Sequence, residues 1–174
     1  RNAGNGCSRP GKLHGAIPCT TGEPMIIRDA ELRDHGTLVE YCMALAMESE
    51  GLTPEKADVS NAIKAALDDP RKARYFVLED DHEIIASLFV TYEWSDWRNG
   101  WYWWIQGVYV HPDHRRRGMY TQLYEAVHDA ARRQGDVRKI RLYVHHNNPA
   151  QAAYEAHGMH REPYFIYDAD VSDA

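Results

Sequence analysis

Hydrophobic and polar positions change period several times along the chain, and each period predicts a different kind of element. Apolar residues recur at helical spacing over residues 30–48 and again over residues 59–67, which predicts two helices. After them the period shortens, and runs rich in Ile, Val, Phe, Tyr and Trp predict three strands at 75–79, 83–92 and 101–110. The turn-forming residues 80–82 join the first two strands as a hairpin.

The second half of the chain alternates helix and strand. One apolar stripe from Met119 to Ala131 predicts a helix that ends near Gly135. We then expect a strand, a short helix and a last strand, at 140–144, 149–157 and 164–169. With a short apolar opening at Met25, this order predicts one α/β domain over residues 25–174. Residues 1–24 lack a hydrophobic period, and we interpret them as an artificial or upstream extension that is disordered or loosely packed.

Charge and composition narrow the function classes. The 174 residues carry a net charge of -6, and because residues 1–24 carry +2, the predicted domain carries -8. This balance disfavours a dedicated nucleic-acid binder, and no apolar run approaches the roughly 20 residues of a membrane helix. Three cysteines without metal spacing favour a reducing, cytoplasmic location. The ten histidines lack zinc-like spacing, so we expect no metal.

The strand at 101–110 runs into a loop of three arginines and a glycine that opens the next helix. Backbone N–H groups at a helix start have no intrahelical partner, and they attract anions such as a pyrophosphate. Gly118 lets the backbone approach an anion closely, and Arg115, Arg116 and Arg117 add positive charge. Taken alone, an arginine triplet on a turn is more often only a feature of a solvated surface.

A second motif downstream changes that balance. The pattern Asn-x-x-Ala-x-x-x-Tyr-x-x-x-Gly is matched by Asn147, Ala150, Tyr154 and Gly158. The pattern Arg/Gln-x-x-Gly-x-Gly/Ala is matched over residues 115–120 except at its last position, Tyr120. In this order, and inside this order of elements, the two motifs resemble the GNAT superfamily of acetyl-CoA-dependent N-acetyltransferases.

The resemblance implies a GNAT fold, a mixed central sheet of about six to seven strands with about four helices and a splay between strands four and five. It implies acetyl-CoA as acyl donor, with its pantetheine arm along strand four and its pyrophosphate in the arginine loop. Tyr120 replaces a small residue, so we expect its side chain to point away from the pyrophosphate. The implied cofactor-binding residues are Val108, Tyr109, Val110, Arg115, Arg116, Arg117, Gly118, Met119, Tyr120, Thr121, Asn147 and Tyr154.

Acetyl transfer to an amine needs a neutral amine, a donor for the developing oxyanion and a proton for the departing thiolate. By resemblance, the N–H of Val108 or Tyr109 would polarise the thioester, and Tyr154 would be the general acid. The residues alone are equally consistent with Tyr154 as an aromatic packed on the sheet. The general base stays open among Glu93, His111 and His145, and a relay through water needs none of them.

Seven aromatic residues lie between positions 92 and 104. They predict either an acceptor pocket, with Tyr92, Trp94, Trp103 and Gln106 as substrate-binding residues, or a hairpin stiffened by cross-strand pairs or a dimer face.

The charge of the domain agrees with an acceptor that is a small cationic primary amine, which would attack the acetyl group directly in a ternary complex. The alternatives are a protein or peptide acetyltransferase and a non-catalytic CoA-binding module. The resemblance also implies a homodimer and no nucleic-acid partner, because cofactor phosphates account for the local net charge of +4 over residues 111–141.

Overall fold

The alternating apolar runs of the sequence pair into one sheet. The computed structural model describes residues 25–171, so the expectation for residues 1–24 lies outside the described residues. The strands follow the spatial order β1-β2-β3-β4-β5. They are β1 (Ile26–Asp29), β2 (Arg74–Asp80), β3 (Glu83–Ser95), β4 (Gly100–Val110) and β5 (Val137–Arg141). All neighbours are antiparallel except β4 and β5, which are parallel, so the predicted mixed α/β fold class is confirmed.

Four helices accompany the sheet, as expected. They are α1 (His35–Glu50), α2 (Lys56–Asp68), α3 (Met119–Gln134) and α4 (Gln151–Ala156). Gly51 and Gly135 end α1 and α3 with φ of 68° and 86°, a left-handed cap that glycine adopts without steric penalty. The hairpin between β2 and β3 turns through Asp81 and His82, both with positive φ, as a two-residue type I′ loop requires.

The sheet buries apolar side chains on both faces. On one face, α3 packs Leu123 and Val127 against Leu88 and Trp103, and all four side chains are fully buried. On the other face, the second core cluster joins residues of α1, α2 and β2, namely Leu38, Val39, Ile63 and Val77. The aromatic and branched residues of β2 to β4 therefore alternate between two cores, as a sheet covered on both faces requires.

The structure corrects the predicted strand count. The described chain has five strands rather than six or seven, and β5 covers 137–141 instead of 140–144. The predicted strand at 164–169 is not a strand. Its β-branched and aromatic residues fit a pleated surface, but such propensity is realised only beside a partner strand. Within residues 25–171 this segment pairs with none.

The predicted separation of strands four and five is confirmed. β4 and β5 pair from Trp101 and Val137 to Trp104 and Arg141, and β5 then ends. β4 continues to Val110, and its last six residues have no strand on that side within the described chain. A wedge-shaped opening therefore exposes one backbone edge of β4 while the other edge stays paired with β3.

Candidate active site

A bulge at Gly107 shapes β4 beside this opening. The register passes from Phe89 paired with Gln106 to Ser87 paired with Tyr109, so two residues of β4 face one residue of β3. Gly107 has φ of 54°, and a Cβ added there would lie 2.5 Å from a ring carbon of Phe89. Only glycine meets both conditions without strain. The bulge locally disrupts the ladder with β3 and changes the twist of β4 where it borders the opening.

The loop after β4 forms the second part of the site. Arg116 and Gly118 both have positive φ, of 60° and 80°, and no described side chain caps α3. The first N–H groups of α3, those of Met119, Tyr120 and Thr121, have no intrahelical acceptor. They lie at the positive end of the helix dipole, which makes this the anion-binding end of α3.

One cleft of about 420 Å³ joins the open edge of β4 to this loop. Nine of the predicted cofactor-binding residues line it: Val108, Tyr109, Val110, Arg115, Arg116, Gly118, Met119, Tyr120 and Thr121. Leu45 and Glu48 of α1 and Ala153 of α4 complete the lining. Arg117, Asn147 and Tyr154 lie outside it among the described residues. Arg117 places Nη1 3.3 Å from Nδ1 of His114.

Arg115 is held by other protein groups inside the cleft. Its Nη2 lies 3.0 Å and 2.7 Å from the two carboxylate oxygens of Glu48, and its Nε donates to the carbonyl of Val110 at 2.9 Å. Its guanidinium also lies 5.5 Å from the ring centre of Tyr109. Arg115 therefore braces α1 against the end of β4. Arg116 and the helix-start amides remain as the anion-binding groups of the lining.

Tyr120 directs its large side chain toward α4. Its ring centre lies 5.5 Å from that of Tyr154, 5.6 Å from His157 and 6.0 Å from Tyr124. Its hydroxyl is buried and has no hydrogen-bond partner among the described residues, and burial raises its pKa. The ring packs against Tyr154 of α4 while Tyr120 also contributes to the cleft lining, so its orientation relative to a bound pyrophosphate stays a prediction.

Tyr154 lies next to the cleft rather than in it. It is half-buried, follows the lining residue Ala153 on α4, and contacts Tyr120. Burial raises the pKa of its phenol, so the hydroxyl stays protonated at neutral pH. Asn147 is exposed in the turn before α4, and its backbone N–H donates to Nδ1 of His145 at 3.3 Å. The role of Asn147 stays a prediction.

The three candidate bases do not line the cleft. Glu93 accepts from Nε1 of Trp104 at 2.6 Å and lies 3.3 Å from Nη1 of Arg141. In the strand register Glu93 lies opposite Tyr102, which precedes the lining residue Val108 by six positions. His145 is exposed, and His111 accepts from the N–H of Asp113 at 3.4 Å.

The structure separates the predicted acceptor residues. Tyr92, Trp94 and Trp103 lie on the α3 face of the sheet, where they form a cross-strand ladder with Trp101 at 5.0 to 6.4 Å. Trp103 is 0% exposed, so it is a core residue and cannot line an acceptor pocket. Gln106 pairs with Phe89 and is half-buried on the opposite face. On the α3 face, these aromatic residues therefore form cross-strand pairs that stiffen the hairpin of β3 and β4, as the alternative to an acceptor pocket predicted.

A protein cation already occupies the aromatic surface on the opposite face. The guanidinium of Arg141 lies 4.2 Å from the ring centre of Tyr102 and 5.4 Å from that of Trp104. Sequence reasoning missed this arrangement and also missed Glu48. Neither belongs to a local motif, because each contact joins residues far apart in sequence.

Two further searches concern the described residues only. No helix between residues 25 and 171 is long and apolar enough to cross a bilayer. Within the same range, no group of three His, Cys, Asp or Glu side chains stands close enough to hold a metal ion.

Known structures share this fold. A possible acetyltransferase from Clostridium difficile 630 is 34% identical, with a TM-score of 0.82 over 87% of this chain and 100% of that chain. A predicted acetyltransferase from Clostridium acetobutylicum, solved with acetyl-CoA, is 18% identical, with a TM-score of 0.70 over 84% of this chain and 96% of that one. Glucosamine-6-phosphate N-acetyltransferase from Arabidopsis thaliana is also 18% identical, with a TM-score of 0.67 over 84% and 99%.

The sequence comparison agrees with the structural one. No curated protein sequence matches the chain. The sequence profile of the Acetyltransferase (GNAT) family matches residues 33–159, which include the bulged strand, the arginine loop and α4. The chain therefore belongs to the GNAT acetyltransferase family.

Proposed function

We propose that the protein transfers an acetyl group from acetyl-CoA to the primary amine of a small cationic acceptor. The observation that carries this proposal is the continuous cleft that joins an unpaired strand edge to a helix start whose first amides have no intrahelical acceptor. A pantetheine arm has amide groups that can extend the sheet along residues 108–110 as an added strand does. The helix-start amides and Arg116 suit a pyrophosphate. The acyl donor supplies an activated thioester.

The residues around the cleft have distinct tasks in the proposed reaction. The N–H of Val108 or Tyr109 donates to the thioester oxygen as negative charge develops on it. Tyr154 donates its phenolic proton to the departing thiolate, and burial keeps that proton in place at neutral pH. Asn147 holds the cofactor or an ordered water. Water removes the proton of the amine, because the described chain places none of the three candidate bases in the cleft lining.

The proposal of a cationic acceptor rests on charge. The domain from residue 25 onward carries -8, and of the three loop arginines Arg116 remains in the cleft lining for a phosphate. Protein and peptide acceptors are the alternative within the same chemistry. The contrasting alternative is a non-catalytic CoA-binding module, which is favoured because the one carboxylate of the described lining, Glu48, is paired with Arg115 and none of the three candidate bases lines the cleft.

Cofactor binding is tested by thermal unfolding. If the Kd for acetyl-CoA is about 10 μM, acetyl-CoA at about 1 mM is present at about 100 times its Kd and should stabilise the folded protein by about 2.7 kcal/mol. Gly118→Trp should abolish this shift because it fills the cleft beside the amides. Gly135→Trp is the matched control, since Gly135 has a similar positive φ at the other end of α3 and lies outside the cleft. A shift that survives in Gly118→Trp would contradict the proposed cofactor position.

Catalysis is tested by a thiol-release assay across a panel of diamines, polyamines, amino sugars and peptides. Turnover of a small amine separates the enzyme from the module, and the preferred amine identifies the acceptor class. Tyr154→Phe should lower kcat about 100-fold with unchanged acetyl-CoA affinity, a usual effect for loss of a general acid. Tyr124→Phe, in the same aromatic group, should retain kcat. An unchanged kcat in Tyr154→Phe would remove Tyr154 from the general-acid role.

A further inference from the structure

Arg141 stands at the mouth of the opening between β4 and β5. It is the last residue of β5 that pairs with β4, opposite Trp104, and beyond this pair the two strands separate. Its guanidinium stacks on aromatic rings, 4.2 Å from the ring centre of Tyr102 and 5.4 Å from that of Trp104. A guanidinium stacked in this way is oriented before any ligand binds, so little conformational entropy is lost when one does.

Most of the hydrogen-bonding capacity of this guanidinium stays available. Within residues 25–171 only Glu93 accepts from it, through Nη1 at 3.3 Å and 3.4 Å. The N–H groups of Nε and Nη2 have no acceptor in the described chain, and the side chain of Arg141 is 25% exposed. Nε and Nη2 form one edge of the planar fork, which suits the two parallel hydrogen bonds of a carboxylate or a phosphate.

The two carboxylates near Arg141 have closer partners. Glu93 accepts from Nε1 of Trp104 at 2.6 Å, a shorter contact than either of its contacts to Arg141. Glu162 pairs with Nζ of Lys139 at 2.7 Å. A hydrogen bond from Lys139 lowers the pKa of Glu162, and the charge of Arg141 contributes less to this effect. The positive charge of Arg141 is therefore only partly compensated by the protein.

One face of β4 leads from Arg141 to the cleft. The bulge at Gly107 shifts the alternation by one residue, so Trp104, Gln106 and Tyr109 all lie on the side that faces away from α3. Tyr109 lines the cleft, and Gln106 is half-buried between the other two along the strand. A small molecule held at Arg141 can therefore extend along this face toward the proposed thioester position beside Tyr109.

We propose that Arg141 binds an oxyanion of the acceptor, so that the acceptor is a small amine that also carries a carboxylate or a phosphate. This inference rests on the proposed acetyl transfer and narrows its substrate, because the ammonium group is then only one end of the acceptor. Nε and Nη2 hold the oxyanion at the other end, which orients the amine along β4 toward the acyl group. Arg141 thus determines specificity and takes no part in the chemical step.

Matched pairs of amines test the acceptor class. In the thiol-release assay at saturating acetyl-CoA, γ-aminobutyrate is compared with butylamine and with diaminobutane, and aminoethyl phosphate is compared with ethylamine. The oxyanion should raise kcat/KM about 10- to 100-fold in at least one pair, the usual effect of hydrogen bonds to a charged group. The pair that shows the effect distinguishes a carboxylate from a phosphate. A preference for butylamine, ethylamine or diaminobutane over both oxyanion acceptors would overturn the proposal.

Variants of Arg141 then test the residue. Arg141→Met should raise KM for the oxyanion acceptor about 10- to 100-fold, leave kcat unchanged, and leave both constants of the matched amine unchanged. Arg141→Lys keeps the charge but loses the parallel hydrogen bonds, so its KM should lie between those of the parent and Arg141→Met. Arg138→Met is the matched control and should behave as the parent, because Arg138 is exposed and its Nη2 lies 3.4 Å from the carbonyl oxygen of Asn99.

The outcomes separate this inference from the proposed function. Loss of the stacking on Tyr102 and Trp104 would affect both members of a pair alike, so a merely structural role of Arg141 cannot produce a change confined to the oxyanion acceptor. An equal rise in KM for both members, or no rise for either, contradicts the role of Arg141 and leaves the acetyl transfer intact. Acetyl-CoA binding without thiol release for any amine contradicts the acetyl transfer itself, and the role of Arg141 with it.

Discussion

Replacement of Gly107 by alanine tests the bulge on which the site depends. Gly107 has φ of 54°, and the new Cβ would stand 2.5 Å from Cε1 and 3.0 Å from Cδ1 of Phe89. The Phe89 ring has little freedom to move away, because it stacks on Tyr75 with ring centres 4.6 Å apart. The substitution therefore introduces both backbone strain and a steric clash.

The two effects have separate magnitudes. A residue with a Cβ in the left-handed region loses about 1–2 kcal/mol. An extra methyl group in a packed site loses about 1–3 kcal/mol. The free energy of unfolding should fall by about 2–5 kcal/mol, which lowers Tm by roughly 4–20 °C for a domain of this size.

Denaturant unfolding of four variants, namely Gly107→Ala, Gly51→Ala, Phe89→Leu and the double variant, separates the strain from the clash. Gly51→Ala has the same kind of strain, with φ of 68°, but no described atom lies within 4 Å of its Cβ, so it should lose only about 1–2 kcal/mol. Phe89→Leu combined with Gly107→Ala should recover part of the loss relative to the two single variants. Gly107→Ala should also raise KM for acetyl-CoA, since residues 108–110 follow the bulge. Equal losses in Gly51→Ala and Gly107→Ala would refute the close approach of Phe89.

Three other predictions concern titratable groups. Tyr120→Phe removes a buried hydroxyl that has no described hydrogen-bond partner, so the free energy of unfolding measured by calorimetry should stay unchanged or rise by up to about 1 kcal/mol. A loss above about 1 kcal/mol would indicate that the hydroxyl makes a hydrogen bond. Burial opposes ionisation of Asp34, but hydrogen bonds from Arg28 and the N–H of Glu31 outweigh it and lower its pKa. Stability should therefore be full above the unfolded pKa near 3.8 and fall as pH drops through the folded one, and Asp34→Asn should flatten this acid limb in urea titrations. Because burial raises the pKa of Tyr154 above 10, kcat should show no basic decline between pH 7 and pH 9.5; a decline in that range that vanishes in Tyr154→Phe would contradict a buried acid.

Local patterns predicted the elements that depend on local chemistry. The hairpin at residues 80–82 follows from turn residues, and α3 lies between Gly118 and Gly135 because both glycines adopt left-handed φ. The arginine loop was predicted as an anion site for the same reason, since a helix start exposes its amides whatever packs around it. Nine of the twelve predicted cofactor-binding residues, from β4 and from the arginine loop, line one cleft.

The errors share a different cause. The predicted strand at 164–169 has strand-forming residues but no partner within the described chain, and Trp103 was named as an acceptor residue although it is fully buried under α3. Period-two alternation divides the residues of β4 between two faces, but it does not say which face a helix covers.

Sequence alone was sufficient for the order of elements from β1 to α4 and for the family resemblance, because these depend on residue patterns that are local in the chain. The anion-binding role of the arginine loop stays a prediction. Packing alone decides that Glu48 meets Arg115 across 67 positions and that Arg141 lies over the rings of Tyr102 and Trp104. Such contacts depend on how distant elements dock, and no local pattern encodes the distance between two side chains on different elements.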